Sequence, residues 1–179
     1  FKIRVWYLGE QESVCPGCSR GCNIFVHYEK SRPYHLKKER VMRLKPRENQ
    51  DVNQWWMCDD GRYAYKSIDQ DRLVAPKGSL KDLAALLEKA PPAYWAVLFS
   101  PQYTNEDLYL QKKLFIDRLK WKNAGFLAPG QDGTEDDLLI KKDKNPNTAG
   151  ASKILGLGGA ADFTPLIEKA KRGELEGLF

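Results

Sequence analysis

Four cysteines stand in the first third of the chain, at positions 15, 18, 22 and 58, spaced Cys-x2-Cys-x3-Cys and then separated from the last by 35 residues. Three thiolates on one short loop and a fourth from a distant turn make a four-cornered sulfur cage. Soft thiolate ligands select iron–sulfur clusters or zinc. The spacing discriminates between them. Zinc ribbons pair two Cys-x2-Cys clips or recruit histidine, whereas here the distal half offers Cys58 alone, and neither His27 nor His35 stands at clip spacing to it. The gap Cys18-Ser19-Arg20-Gly21-Cys22 suits a loop that wraps three corners of a cubane, with Gly17 and Gly21 freeing the backbone to aim amides at sulfur. The residues point to one [4Fe-4S] cluster held by Cys15, Cys18, Cys22 and Cys58. A structural zinc and buried free thiols are the competing readings. A cluster with four cysteine ligands has no open corner for a substrate, so its role is a one-electron relay or a pin for the domain.

Charge and hydropathy exclude several classes. Lys and Arg number 29 against 24 acidic residues, for a net charge of +5. The charges are well mixed. The densest basic run, His35-Leu36-Lys37-Lys38-Glu39-Arg40, is interrupted by an acid and reads as a solvated face, not a nucleic-acid patch. No run approaches about 18 consecutive apolar residues, so no membrane insertion is expected. The opening Phe1-Lys2-Ile3-Arg4-Val5-Trp6 alternates like a strand and has neither an initiator Met nor the apolar core of a signal peptide. It reads as a cut through a longer protein. Cysteines in a charged, non-secretory chain read as a metal site, not as a disulfide framework.

Two textures divide the chain near residue 75. Before it come short strand signals and turns: Phe1–Leu8, Asn23–Tyr28 and Arg40–Leu44, with a short helix starting at Asp59. This part has too few aliphatics for a generous core and needs a staple such as a metal. After it, Leu80, Leu83, Ala84, Leu86 and Leu87 recur at helical spacing behind Ser79 as N-cap. Tyr94–Phe99 is an apolar run of the kind buried on both faces. Thr104 and Asp107 resemble a capping box ahead of a second helix. Ala124–Leu127 is a short strand candidate. Pro129 to about Asp162 reads as a polar, Gly-rich loop, Pro165–Arg172 as a third helix and Leu175–Phe179 as a further strand. The expectation is α+β overall: a small β-rich [4Fe-4S] domain over 1–75, then a partial, Rossmann-like α/β domain with a parallel sheet over 76–179.

The run Val14-Cys15-Pro16-Gly17-Cys18-Ser19-Arg20-Gly21-Cys22-Asn23-Ile24 resembles the iron–sulfur domain of the molybdopterin oxidoreductase superfamily. Val41-Met42-Arg43-Leu44, Pro46-Arg47-Glu48-Asn49, Val52–Asp59 and Gly61-Arg62-Tyr63-Ala64-Tyr65 narrow the resemblance. They are similar to the large iron–sulfur (G-type) subunit family of NADH:quinone oxidoreductase, respiratory complex I. More loosely, Thr104–Asp107 resembles that family's helix start, Asp136–Ile140 its strand-like segment, and Asn145-Pro146-Asn147 with Gly150-Ala151 the loop that follows. The resemblance implies an internal fragment of an electron-transfer iron–sulfur subunit of NADH dehydrogenase, with no complete active site and no molybdopterin. It implies other subunits of a membrane-associated complex as partners, and a peripheral place on the cytoplasmic or mitochondrial matrix side. Molybdenum members typically carry lysine two residues after the fourth cysteine. Here that residue is Asp60, an anion beside an anionic cluster, which opposes electron flow to a pterin and would lower the potential. The alternatives are an N-terminal piece of a molybdopterin-dependent enzyme such as a formate dehydrogenase, and a zinc-stapled interaction module.

Other motifs read as structure. Leu155-Gly156-Leu157-Gly158-Gly159 follows a polar loop and lacks the spacing of a dinucleotide fingerprint. Asp132, Glu135, Asp136 and Asp137 lack calcium-loop spacing and read as a solvated turn. Trp55 and Trp56 are expected to shield the cluster from water. Arg20 and Arg62 are expected either to offset its charge or to pair with nearby acids.

Overall fold

Strand pairing decides where the cysteines go. The computed structural model describes residues 3–30, 40–72, 75, 78–130, 132–156 and 163–179, which form two compact units. In the first unit, β1 (Leu8–Val14) runs antiparallel to β2 (Asn23–Glu29), with Val14 opposite Asn23, so residues 15–22 are the hairpin loop. Strand β3 (Val41–Pro46) pairs with the other edge of β2, giving the order β1-β2-β3. Period-2 alternation puts Ile24 and Leu44 on the inner face, where both are buried. Each such burial contributes about 1.5–3 kcal/mol. The first strand starts later than the alternation of Phe1–Leu8 suggests: Val5–Tyr7 make one 3-10 turn with Val5 and Trp6 exposed, and pairing begins at Leu8 opposite Glu29. After β3 a tight turn closes between Asn49 and Gln54, and helix α1 (Asp59–Tyr63) begins directly behind Cys58. The basic run at 35–39 lies outside the described residues.

Residues 132–146 also belong to the first unit, although the sequence texture breaks only once, near residue 75. They return for two physical reasons. Leu139 joins the buried cluster of Cys15, Cys22, Ile24, Leu44 and Met57, and the Asp143 carbonyl accepts a hydrogen bond from the Ser19 amide at 2.8 Å. The strand-like reading of Asp136–Ile140 gives way to a turn. One Asp136 oxygen accepts from the amides of Leu138, Leu139 and Ile140, which holds its carboxyl below the usual range.

The second unit spans 75–131 and 147–179. Its helix α2 (Leu80–Lys89) is capped by the Ser79 side chain, which accepts from the Asp82 amide. Strand β4 (Trp95–Phe99) lies between β5 (Asn123–Phe126) and β6 (Gly177–Leu178), and both pairings are parallel. A central strand in a parallel sheet is covered on both faces, which accounts for the unbroken apolar run. Helix α3 (Asn105–Lys112), capped by Thr104, continues as a π-helical stretch Lys113–Arg118 and makes the crossover from β4 to β5. Val97, Phe99, Leu108, Phe115, Trp121 and Phe126 form the core. Within the segment expected to be loop, α4 (Thr148–Leu155) packs Ala151 and Leu155 into that core and ends at Gly156 with φ 68°. Gly156 therefore closes a helix, whereas a dinucleotide-binding glycine opens one; residues 157–160 lie outside the described residues. Helix α5 (Thr164–Lys171) follows. The architecture is α+β: an antiparallel unit, and a unit built on a three-stranded parallel sheet.

Candidate iron–sulfur centre

The hairpin places two cysteines face to face at its neck. The Cys15 amide donates to the Cys22 carbonyl at 2.8 Å, continuing the β1–β2 ladder by one rung. Both side chains are buried. Inside the loop, Gly21 takes a left-handed conformation (φ 65°) and its amide donates to the Cys18 carbonyl, so the chain doubles back before Cys22. The expected inward amide at Gly17 is present, bonded to the Cys15 sulfur.

The fourth cysteine arrives from the turn before α1. Cys58 is the N-cap of that helix, and its Sγ accepts the Gly61 amide at 3.4 Å. Gly61 also marks where the two ligand-bearing segments meet. A Cβ at that residue would lie 2.9 Å from Cys15 Sγ, 3.3 Å from Met57 Cε and 3.5 Å from Cys58 Sγ. Only a hydrogen side chain leaves room for the Cys15 sulfur. All four cysteines line one cavity of about 60 Å³, whose remaining wall includes Met57, Asp60, Gly61, Leu139, Ile140 and Lys144. Among the described residues, no three Cys, His, Asp or Glu side chains close on one point as a single-ion site does.

Electrostatics describes the same convergence. Burial pushes the Cys22 thiol up to about 11, and the sulfurs of Cys15, Cys18 and Cys58 push it the same way, with Arg20 opposing. Burial also raises Cys15; the Gly17 amide opposes it, while Cys58 and Cys18 add to it. The thiolates of Cys15 and Cys22 are thus disfavoured unless a cationic core shares them. The donor set, all sulfur and served by the Gly17 and Gly61 amides, fits an iron–sulfur cluster.

Asn53 holds the two ligand segments together. It is 1 % exposed, its Oδ1 accepts the Asn23 amide at 2.9 Å, and its Nδ2 donates to the Arg47 and Trp56 carbonyls. Asn23 follows Cys22, and Trp56 precedes Met57 and Cys58. The sequence singles out neither Asn53 nor Met57, Leu139 and Lys144. A turn asparagine has many uses, and nothing local marks a distant downstream segment as part of the cavity wall.

Other candidates fall elsewhere. Trp55 and Trp56 do not shield the centre: they are 57 % and 54 % exposed and do not line the cavity, and Met57 takes that place. The backbone bonds that carry Asn53 turn both indoles outward. Arg62 lies 3.9 Å from Asp59. Arg20 lies close enough to lower the Cys22 thiol, and its buried Nε has no hydrogen-bond partner among the described residues. The acidic residues pair locally, Glu135 with Lys141 and Asp132 with Lys142.

A hairpin loop with three cysteines, a fourth at a helix N-cap and a cavity shared by all four define an iron–sulfur domain. Residues 10–70 match the molybdopterin oxidoreductase Fe4S4 domain. The family's cofactor is a 4Fe-4S cluster. Over 99 % of its length the chain is 28 % identical to the G subunit of NADH-quinone oxidoreductase from Streptomyces coelicolor, of which it covers 22 %. Over 95 % of its length it is 32 % identical to the alpha subunit of the NADPH-Fe(3+) oxidoreductase of Geobacter sulfurreducens, of which it covers 19 %. Over 49 % of its length it is 36 % identical to the G subunit of the Pseudomonas putida NADH-quinone oxidoreductase, with 9 % of that protein covered. The chain thus spans about a fifth of the first two relatives. The domain match gives residues 10–70 an iron–sulfur role. Among the described residues, no helix is long and apolar enough to cross a membrane.

Proposed function

We propose that Cys15, Cys18, Cys22 and Cys58 ligate one [4Fe-4S] cluster, and that the chain is the cluster-bearing part of an electron-transfer subunit in a multi-subunit NADH dehydrogenase of the complex I type. The observation that carries this reading is the single cavity lined by all four cysteines. Four cysteine sulfurs that share the walls of one cavity, within a segment that matches an Fe4S4 domain, suit a four-iron core. A cluster of this kind supplies one-electron storage. The chain's own residues do the rest. The hairpin and the Cys58 cap fix the ligands, and the Gly17 and Gly61 amides delocalise sulfur charge. Met57, Leu139 and Ile140 keep water from part of the wall.

Nicotinamide oxidation and quinone reduction belong, on this reading, to other parts of the assembly. Its other subunits are the partners, and the chain sits at the membrane periphery. Domain limits of 1–75 and 76–179 are proposed for the cluster and α/β parts, with 132–146 returning to the first. The Geobacter relative carries a second reading, electron delivery from NADPH toward a ferric acceptor.

The test is iron and sulfide analysis with EPR of anaerobically purified, dithionite-treated protein. Four irons and four sulfides per chain with a reduced-cluster signal are expected, and Cys58→Ser should lower both. Full iron retention in Cys58→Ser would remove that ligand from the set, and a colourless zinc protein would defeat the reading as a whole. Reduction of the assembled complex by NADH and not NADPH would favour the first reading over the second.

A further inference from the structure

The cavity wall contains a cation that arrives from far along the sequence. Lys144 lines the same cavity as the four cysteines, and so does Asp60. Three features hold the lysine in place. Its Nζ donates to the Thr134 carbonyl at 2.6 Å. Its stem lies over Gly133, where a Cβ would come 2.8 Å from Lys144 Cγ and nearer still to Cε. Its own segment is tied to the ligand loop by the bond from the Ser19 amide to the Asp143 carbonyl, one residue before Lys144 and one after Cys18. The Asp143 carboxylate also accepts the Asn145 amide and so stiffens the turn on the other side.

A lysine fixed by its terminal donor, its stem and both flanking peptides has given up the rotamer freedom that lysines on a solvated face keep. Its neighbours Lys141 and Lys142 differ: they reach toward Glu135 and Asp132 and do not line the cavity.

We infer that Lys144 is a positioning residue for charge at the iron–sulfur centre: its ammonium raises the reduction potential of the cluster, offsetting Asp60 on the same cavity. This rests on the cluster reading given above. The physics is direct. Each electron taken up adds one negative charge to a cavity already holding four thiolates. A nearby fixed cation favours the more negative state, and at the effective dielectric of a protein surface one such charge shifts a one-electron equilibrium by about tenfold. Because the lysine enters with residues 132–146, the potential depends on a segment beyond the α/β strands β4 and β5 in the chain, so docking of that segment and redox behaviour are linked.

The experiment is an EPR-monitored redox titration of the cluster-loaded protein, with dithionite as reductant. Lys144→Gln keeps a donor for the Thr134 carbonyl and removes the charge. Its midpoint should move negative by about 59 mV, the one-electron equivalent of a tenfold change. Lys144→Arg should stay near the wild-type value, as should Lys142→Gln, whose cation does not line the cavity. Iron content is measured on every sample. A wild-type protein without four irons defeats the cluster reading itself. Four irons in all variants with Lys144→Gln at the wild-type potential overturns the inference about Lys144. Equal shifts in Lys144→Gln and Lys144→Arg would also overturn it, because they would assign the residue a packing role. If Lys144→Gln does not hold iron, Lys144→Met decides in the same way.

Discussion

Asn53 Oδ1 accepts the Asn23 amide at 2.9 Å, and this one bond joins the strand that leaves Cys22 to the turn that delivers Cys58. With its Nδ2 donating to the Arg47 and Trp56 carbonyls, the side chain satisfies three backbone groups in a fully buried place. Each buried group left unpaired costs about 1–3 kcal/mol. Asn53→Ala is therefore expected to destabilise the first unit by about 3 kcal/mol and to release iron faster to a chelator. Urea denaturation followed by the cluster's visible absorbance measures both. An unchanged midpoint with unchanged iron release would show that the two segments are held by something else.

Gly61 and Cys15 define a second constraint. A methyl group at Gly61 would sit 2.9 Å from Cys15 Sγ, closer than packed atoms tolerate, and at a tight 3.3 Å from Met57 Cε. Gly17 is the natural control, because its added methyl would meet Cys15 Sγ at an ordinary 3.6 Å. Gly61→Ala should reduce iron per chain by about half or more on reconstitution, the overpacked core costing about 1–3 kcal/mol, while Gly17→Ala loads normally. Equal loading of the two variants would mean that Cys15 can move without cost.

These residues separate what the sequence reveals of the centre from what it hides. Cys15, Cys18, Cys22 and Cys58 are legible because few other folds require that spacing. The capping positions Ser79 and Thr104 are legible because each satisfies an amide three residues away. Leu139 and Lys144 are not, because their role exists only once the 132–146 segment has returned, and a long-range docking leaves no local periodicity. Helix α4 is hidden by Gly150 and by the polar residues around it. Gly150 is needed there because a Cβ would collide with the Asn147 and Asn105 side chains, so its cost to helix propensity is offset by packing. Trp55 and Trp56 mislead in the opposite direction: adjacency to a ligand in sequence is not adjacency to the cluster, because Asn53 fixes the turn with both rings outward.

His27 gives a pH prediction. It is buried in the row Glu10–His27–Arg43 across the three strands, with its Nδ1 accepting from Arg43 Nε at 3.0 Å and its Nε2 3.4 Å from Glu10 Oε2. Accepting from a guanidinium requires an unprotonated Nδ1. Burial lowers the imidazole's pKa, Arg43 and Lys45 lower it further, and Glu10 only partly opposes them. The unfolded chain therefore takes up a proton that the folded protein refuses. Stability is fully present above the unfolded histidine value of about 6.5 and falls as pH drops through it toward the lower folded value. Chemical denaturation between about pH 5 and 8 should show this decline in the wild type and a smaller one in His27→Gln. A decline of the same size in both would assign it to other groups.

Asp60 supplies the complementary electrostatic test. It lines the cysteine cavity while remaining exposed at its outer side. An anion there disfavours uptake of an electron, so Asp60→Asn should raise the cluster's midpoint and Asp60→Lys should raise it further, by up to about 59 mV per tenfold change in the reduction equilibrium. Because the carboxylate reaches solvent, salt screens it over roughly 10 Å at 0.1 M ionic strength. The Asp60 variants should therefore converge on the wild type as salt rises. Lys144 is only part-buried and its bond to the Thr134 carbonyl is exposed, so its effect should fall with salt in the same way. A salt-independent Asp60 effect would mean that the substitution acts by moving Cys58, the cap of the helix that carries it, and not through charge. Iron content and the EPR line shape of the reduced cluster then distinguish the two, since a shifted ligand alters both and a removed charge alters neither.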